Sequence, residues 1–214
     1  MFYCAEGLTP EETWKAITER VAVVTAEVVA QASDGYVAVP RDVRLWHERI
    51  FGFWFPEQAG RQRVGEERSQ FDVVWGTKER PQPETIVSCK GSSVSQRLGE
   101  AFSALREAIE ERDAAVADER QRKLSDATLP AAKFYAKLLS THPFFDGNGR
   151  VAYVALQYAL VRLGATGVAL PDHDEQQWAL GQALRRGGRH QNYEALAVVF
   201  EETIRASSGS AATI

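Results

Sequence analysis

The sequence predicts an all-α domain of about six to eight helices carrying one β-hairpin near residues 70 to 90. Three observations lead there. Through most of the chain apolar residues recur at alternating spacings of three and four, which is the period of one helix face. Two segments, Leu129 to Leu139 and Val151 to Leu163, are apolar almost all the way round, the second broken only by Gln157 and Arg162. Helices of that composition belong in the centre of a domain. Between residues 70 and 90 the pattern changes to short β-branched and aromatic runs, which suit strands.

Taken in order, Thr9-Pro10-Glu11-Glu12 reads as an N-cap, a proline at the first helical position and an acidic first turn with the spacing of a capping box. It opens a helix over about residues 9 to 32, with Trp14, Ile17, Val21, Val24 and Val28 on its stripe and Ser33-Asp34-Gly35 at its end. That stripe is expected to pack on the chain's own domain, the alternative being a helix that binds a partner. Pro40 precedes a second helix with Val43, Trp46 and Ile50 on one face and Gly52 near its end; Phe53-Trp54-Phe55-Pro56 then reads as core or an internal hinge. Arg61, Arg63 and Arg68 form a local positive run, a solvated face unless one of them turns to an anionic ligand. Phe71 to Trp75 and Thr85 to Cys89 read as two strands joined by a long loop containing Gly76 and Arg80-Pro81-Gln82-Pro83.

A long helix from Ser93 or Ser95 places Leu98, Phe102, Leu105 and Ile109 on one face, and its far end, Arg106 through Lys123, is charged solvated surface. Ser125 to Thr128 caps a core helix expected to start near Pro130. After the second core helix, Gly164 to Pro171 is a loop, Asp172 or Asp174 caps a helix carrying Trp178 and Leu184 that stops at Arg186-Gly187-Gly188, and Asn192 caps a last helix with Leu196, Val199, Phe200 and Ile204. Residues 207–214 have the composition of a disordered tail, and no repeat or linker divides residues 1–206.

Composition narrows the function classes. At 214 residues, with 44% hydrophobic and 25% charged residues, the chain can build one good core of ordinary soluble character. A net charge of −4 with both signs interspersed argues against nucleic acid as a partner. No stretch approaches the roughly 20 apolar residues of a membrane span, and Met1 to Glu6 lacks the pattern of a signal peptide. With Cys4 and Cys89 as two unpaired thiols, a cytoplasmic location is expected and a membrane partner is not.

The chemistry gathers between the two core helices, in His142-Pro143-Phe144-Phe145-Asp146-Gly147-Asn148-Gly149-Arg150. Gly147 and Gly149 have no Cβ and Asn148 tolerates positive φ, so the turn can aim successive backbone N–H groups at one point and make an anion nest. A helix begun near Arg150 adds the positive end of its dipole, and the guanidinium can grip a phosphate. Asp146 would repel that phosphate unless a hard cation such as Mg2+ lay between them. His142 has the ordinary pKa of a general base working near neutrality. A plain His142–Asp146 metal site is the blander alternative, and it leaves the glycines and the arginine without a role.

These nine positions resemble the signature of the Fic family, HxFx(D/E)GNGRxxR, with every defined residue present through Arg150 and Tyr153 standing where the last arginine belongs. Trp46 to Phe51 and Phe55 to Arg63 look like the family's upstream helix and its AG..R turn, so the resemblance spans about residues 40 to 205. It implies a Fic-like helical domain with a central helix-loop-helix and a small β-hairpin flap. The implied activity is transfer of AMP, or another nucleotide monophosphate, from ATP or a similar triphosphate to a Tyr, Ser or Thr hydroxyl of a protein substrate, as a toxin-like or regulatory modification. In that scheme His142 is the base, Asp146 holds Mg2+, Gly147, Asn148, Gly149 and Arg150 bind the phosphates, and Phe144 anchors the loop by pointing inward. The flap residues Thr85, Ile86, Val87 and Ser88 hold the target segment by strand addition.

Two alternatives come with the resemblance. Doc-like relatives turn the nucleotide round and act as protein kinases, but their loop replaces the glycines that this chain keeps. A binding or adaptor module without catalysis is favoured by Tyr153 and opposed by the intact loop. Many Fic proteins also carry an inhibitory helix, (S/T)xxxE(G/N), whose glutamate pairs with the last motif arginine. Here Tyr153 takes that arginine's place, and the only Glu followed by Gly or Asn is Glu6-Gly7, with Phe2 where Ser or Thr should stand. Restraint is therefore expected from a separate regulatory or antitoxin-like protein partner or from another surface. Without the second arginine, a weaker preference for triphosphate donors is expected too.

Overall fold

A computed structural model describes residues 5–77, 80–118, 123–168 and 193–210, and among them the chain is helical apart from one hairpin. Helix α1 (Pro10–Ser33) starts as its sequence demands: the Thr9 hydroxyl accepts the Glu12 N–H at 3.2 Å and the Glu12 carboxylate accepts the Thr9 N–H at 2.8 Å. Its stripe is spent inside the domain, where Ile17, Val24 and Val28 are buried against helices α2 (Pro40–Phe51) and α5 (Asn148–Arg162). Helix α2 buries Val43, Trp46 and Ile50 as expected, together with His47 and Phe51. The α1–α2 connection is pinned to α5 by Tyr158, whose hydroxyl accepts from the Ala38 N–H at 2.8 Å and donates to the Tyr36 carbonyl at 3.0 Å.

Strands β1 (Gln70–Thr77) and β2 (Arg80–Val87) form the hairpin, paired antiparallel from Gln70 opposite Val87 to Thr77 opposite Arg80. Both strands run further than the sequence suggested, because β2 continues through Pro81 and Pro83, while Cys89 lies beyond it. Prolines fit a ladder only where their missing N–H would face away from the neighbouring strand. The hydrogen bonding meets that condition. Ser88 N–H donates to Ser69 O at 2.9 Å, so by alternation along an unbroken register Val87, Thr85, Pro83 and Pro81 all turn their backbone groups outward.

A 3-10 turn (Gly91–Ser93) leads into α3 (Val94–Ala117), which buries Leu98, Phe102, Leu105 and Ile109. Helix α4 (Ser125–Thr141) begins five residues before the expected start and carries Pro130 inside it. The Asp126 carboxylate accepts the Lys123 N–H at 2.9 Å, so the cap lies upstream and the proline costs the helix one internal bond. Helix α5 buries residues on every side, from Val151 through Leu160, as an all-apolar helix must. Helix α6 (Glu194–Ser210) packs on α4, with Phe200 against Tyr135 and Thr128 bonded to Glu201. It runs past residue 207, where a disordered tail was expected, and the Ser207 hydroxyl donates to the Thr203 carbonyl one turn back. The expected Asp172 or Asp174 cap, the helix with Trp178 and Leu184, its Arg186-Gly187-Gly188 stop and the Asn192 cap lie outside the described residues. One hydrophobic cluster joins the six described helices, and none of them is long and apolar enough to cross a membrane.

Candidate active site

The site lies where α4 stops and α5 starts. His142 caps α4 with φ 49°, the single positive φ of a residue other than glycine among those described, and such a backbone is strained for an L-residue. The chain then runs beside the turn after α2: Gln62 pairs with Phe144 and Arg63 N–H donates to Pro143 O at 2.9 Å. Phe144 is 1% exposed, with its ring 3.9 Å from the His47 ring. Its backbone is clamped from both sides by one amide, since its N–H donates to Asn148 Oδ1 and its carbonyl accepts from Asn148 Nδ2, both at 2.9 Å. Asn148 Nδ2 also lies 3.3 Å from His142 Nδ1, which sets the amide beside the imidazole. The Asn148 side chain is spent on the loop, and what it offers a ligand is its backbone N–H.

The anion site differs from the expected nest. Only Gly147 has a left-handed backbone, at φ 75°, while Asn148 and Gly149 are the first residues of α5. A Cβ at Gly147 would collide with the Phe51 ring and meet His47 Nε2 at 3.2 Å, so that glycine is dictated by close packing. Gly149 is exposed with open space beyond it. The first bond inside α5 runs from Val151 N–H to Gly147 O. The N–H groups of Asn148, Gly149 and Arg150 therefore have no partner within the helix and converge at its positive end. Asp146 lies at the same end, half-buried, with Oδ1 accepting the Gly147 N–H at 2.7 Å.

Arg150 reaches back to α1, its guanidinium carbon 4.0 Å from the centre of the Trp14 ring. That explains why Trp14, expected in the core, is 39% exposed. Tyr153, one turn on, donates to Val168 O at 3.3 Å and helps Gln157 hold the segment after α5. Of the positive run, Arg61 is exposed and bonds Glu57 O, Arg68 bonds Ser88 O at the foot of the hairpin, and Arg63 is buried at 2% exposure among backbone carbonyls. In the hairpin, Thr85 and Val87 are exposed and Ser88 is buried.

Two histidines are held neutral here. Burial, reinforced by the Arg63 charge and opposed by Asp146, brings His142 down to about 4, well below the near-neutral value its type suggested. His47, 1% exposed, is also drawn down to about 4 by burial. Its tautomer follows from its neighbours: Gly60 N–H donates to Nδ1 at 2.9 Å, which leaves Nε2–H to donate to Asp146 O at 3.0 Å. Sequence reading placed His47 only within an upstream helix. Its i, i+3, i+4, i+7 set with Val43, Trp46 and Ile50 marks it as buried, but nothing local names Asp146 as its partner.

Could the site hold the implied cation? No group of three or more potential metal-ligating side chains occurs among the described residues. A single carboxylate beside a helix N-terminus does fit a hard divalent ion that keeps several waters and takes phosphate oxygens as further ligands. Asp146 is the residue that would hold it.

Known structures share this architecture. The chain resembles a Fic-1 structure from C. elegans at 19% identity and TM-score 0.62, covering 95% of this chain and 52% of that one, so it spans about half of that relative. It also resembles the N-terminal Fic domain of a Bartonella quintana effector with bound ADP, at 19% identity and TM-score 0.55 over 93% of this chain and 88% of that one. The BepC protein of Bartonella tribocorum with bound AMPPNP is similar at 17% identity and TM-score 0.56, over 94% and 95%. At these identities the likeness shows the fold alone. A search of curated proteins finds no match. The Fic/DOC family model matches residues 39–160, a span from the start of α2 through the hairpin and motif loop into α5, and the chain belongs to that family.

Proposed function

We propose that this chain is a protein nucleotidyltransferase that moves AMP from ATP to a hydroxyl of a target protein. The observation carrying this reading is the convergence, on one rigid loop, of an unprotonated imidazole, a carboxylate and the N–H end of α5. The similar Bartonella domains that hold ADP and AMPPNP support a nucleotide as the occupant of this end of the fold.

In the proposed reaction the target hydroxyl gives its proton to His142 as its oxygen bonds to the α-phosphorus, and the bond to pyrophosphate breaks. The first-turn N–H groups of α5 and the Arg150 guanidinium take up the charge growing on the leaving phosphates. A bound Mg2+ would supply charge neutralisation between those phosphates and Asp146. His142 is ready to accept at neutral pH, and anionic phosphates nearby act in the same direction as Asp146, raising its proton affinity. The target segment is proposed to add to the outer edge of β2, where Val87 presents outward backbone groups. A protein substrate is thus the proposed partner, with a separate regulatory or antitoxin-like protein as a further one. The test is labelling of cell-extract protein with α-phosphate-labelled ATP by wild type and His142→Ala side by side. Loss of about 10²- to 10⁴-fold in the folded variant is expected, and equal labelling by both would overturn the assignment.

A further inference from the structure

We propose that Arg63 is the positioning residue of the base: one buried guanidinium fixes the backbone of His142 and ties it to the foot of the hairpin. The inference rests on the nucleotidyl-transfer reading above. Four of the five guanidinium N–H donors are used. Nε donates to His142 O at 2.7 Å, one terminal nitrogen to Thr141 O at 2.8 Å, and the other to Glu67 O at 2.9 Å and Cys89 O at 3.0 Å. All four acceptors are backbone carbonyls, and two of them end α4, so the charge is matched by the negative end of that helix.

Three chain segments meet on this one group. Thr141 and His142 lead into the motif loop, Glu67 precedes β1, and Cys89 follows β2. Cys89 Sγ adds a 3.4 Å contact to Thr141 O. The bond to the His142 carbonyl holds the strained left-handed residue from which the loop departs. Those to Glu67 and Cys89 hold the base of the strand pair whose outer edge is proposed to carry the target. The distance between the imidazole and an added strand is therefore set through Arg63. A lysine keeps the charge but offers one nitrogen, which cannot span carbonyls from three segments.

The test uses Arg63→Lys in the full chain, with cooperative thermal unfolding as the check of folding. With α-labelled ATP and saturating cell-extract protein, the maximal labelling rate should fall about 10- to 100-fold, since a misplacement of about 1 Å costs on that order. The KM for ATP should stay within about threefold, because the α5 end is untouched. A folded lysine variant with the wild-type maximal rate would overturn the proposal. So would joint loss of rate and ATP affinity, which would mean general loosening of the loop. Should that variant not fold, nuclear magnetic resonance of the wild type decides: the Arg63 Nε–H should be slow to exchange and show hydrogen-bond coupling to the His142 carbonyl carbon. Exchange as fast as that of exposed Arg61 contradicts the strap. If wild type transfers no α-label, the transfer reading fails, and the magnetic-resonance arm still decides the strap by itself.

Discussion

At the scale of single residues, the site depends on side chains kept neutral or used up in holding backbone. His142 at about 4 should give a kcat/KM profile whose acid limb lies near pH 4, where an unperturbed imidazole would put it near 6.5. Transfer that halves near pH 6.5 would show that the base is solvated or is another group. His47 makes a separate prediction for stability. Its folded pKa of about 4 lies below the ordinary 6.5, so between those values the unfolded chain binds the extra proton. Stability is therefore full above about pH 6.5 and is lost as pH falls toward 4, by up to roughly 3 kcal/mol for this group. Denaturant unfolding of wild type from pH 7 to 4 checks the slope, and a flat profile would contradict a buried neutral His47. The loop's reactive side chains were legible in sequence because they are contiguous. Arg63 and His47 were not, since their partners lie 79 and 99 residues away. Which glycine is left-handed was likewise settled by the packing of Phe51 and His47, not by the turn's own residues.

At the scale of elements, the helices were legible from their period and the boundaries were not. Pro130 and Asn148 are each compatible with a first turn, and α4 and α5 both start upstream of the expected positions: Asp126 accepts the Lys123 N–H at the start of α4, while α5 opens directly from the left-handed Gly147 without a side-chain cap. The hairpin gives a contrast between neighbouring residues. Val87→Pro removes an outward N–H and should weaken labelling of the target while leaving the fold intact. Ser88→Pro removes the donor to Ser69 O, and should destabilise the hairpin itself. Equal thermal stability of the two variants would contradict the register. Helix α1 is tied to the site through Trp14 beneath Arg150. Trp14→Ala should raise the KM for ATP by about two- to fivefold, as loss of an exposed cation–π contact implies, with Trp14→Phe retaining most of the affinity. An unchanged KM in the alanine variant would separate α1 from phosphate binding.

At the scale of the whole molecule, six helices among the described residues share one core, and α4 and α5 hold a loop whose residues reach in sequence from 142 to 150. That arrangement could be read from the chain alone, because an all-apolar helix has nowhere to go but the centre, and a loop between two such helices is fixed at both ends. The way α1 and the hairpin foot converge on that loop could not, since it depends on contacts between distant segments. The central claim is that the nucleotide is held with its α-phosphate toward His142. Incubating the full chain with Mg2+, cell-extract protein and ATP labelled in parallel on the α- or the γ-phosphate tests it most directly. Label from the α-phosphate alone, lost in Asp146→Ala, is the predicted result. Label from the γ-phosphate would mean a kinase orientation and contradict the account, and no protein-bound label from either position would contradict transfer altogether.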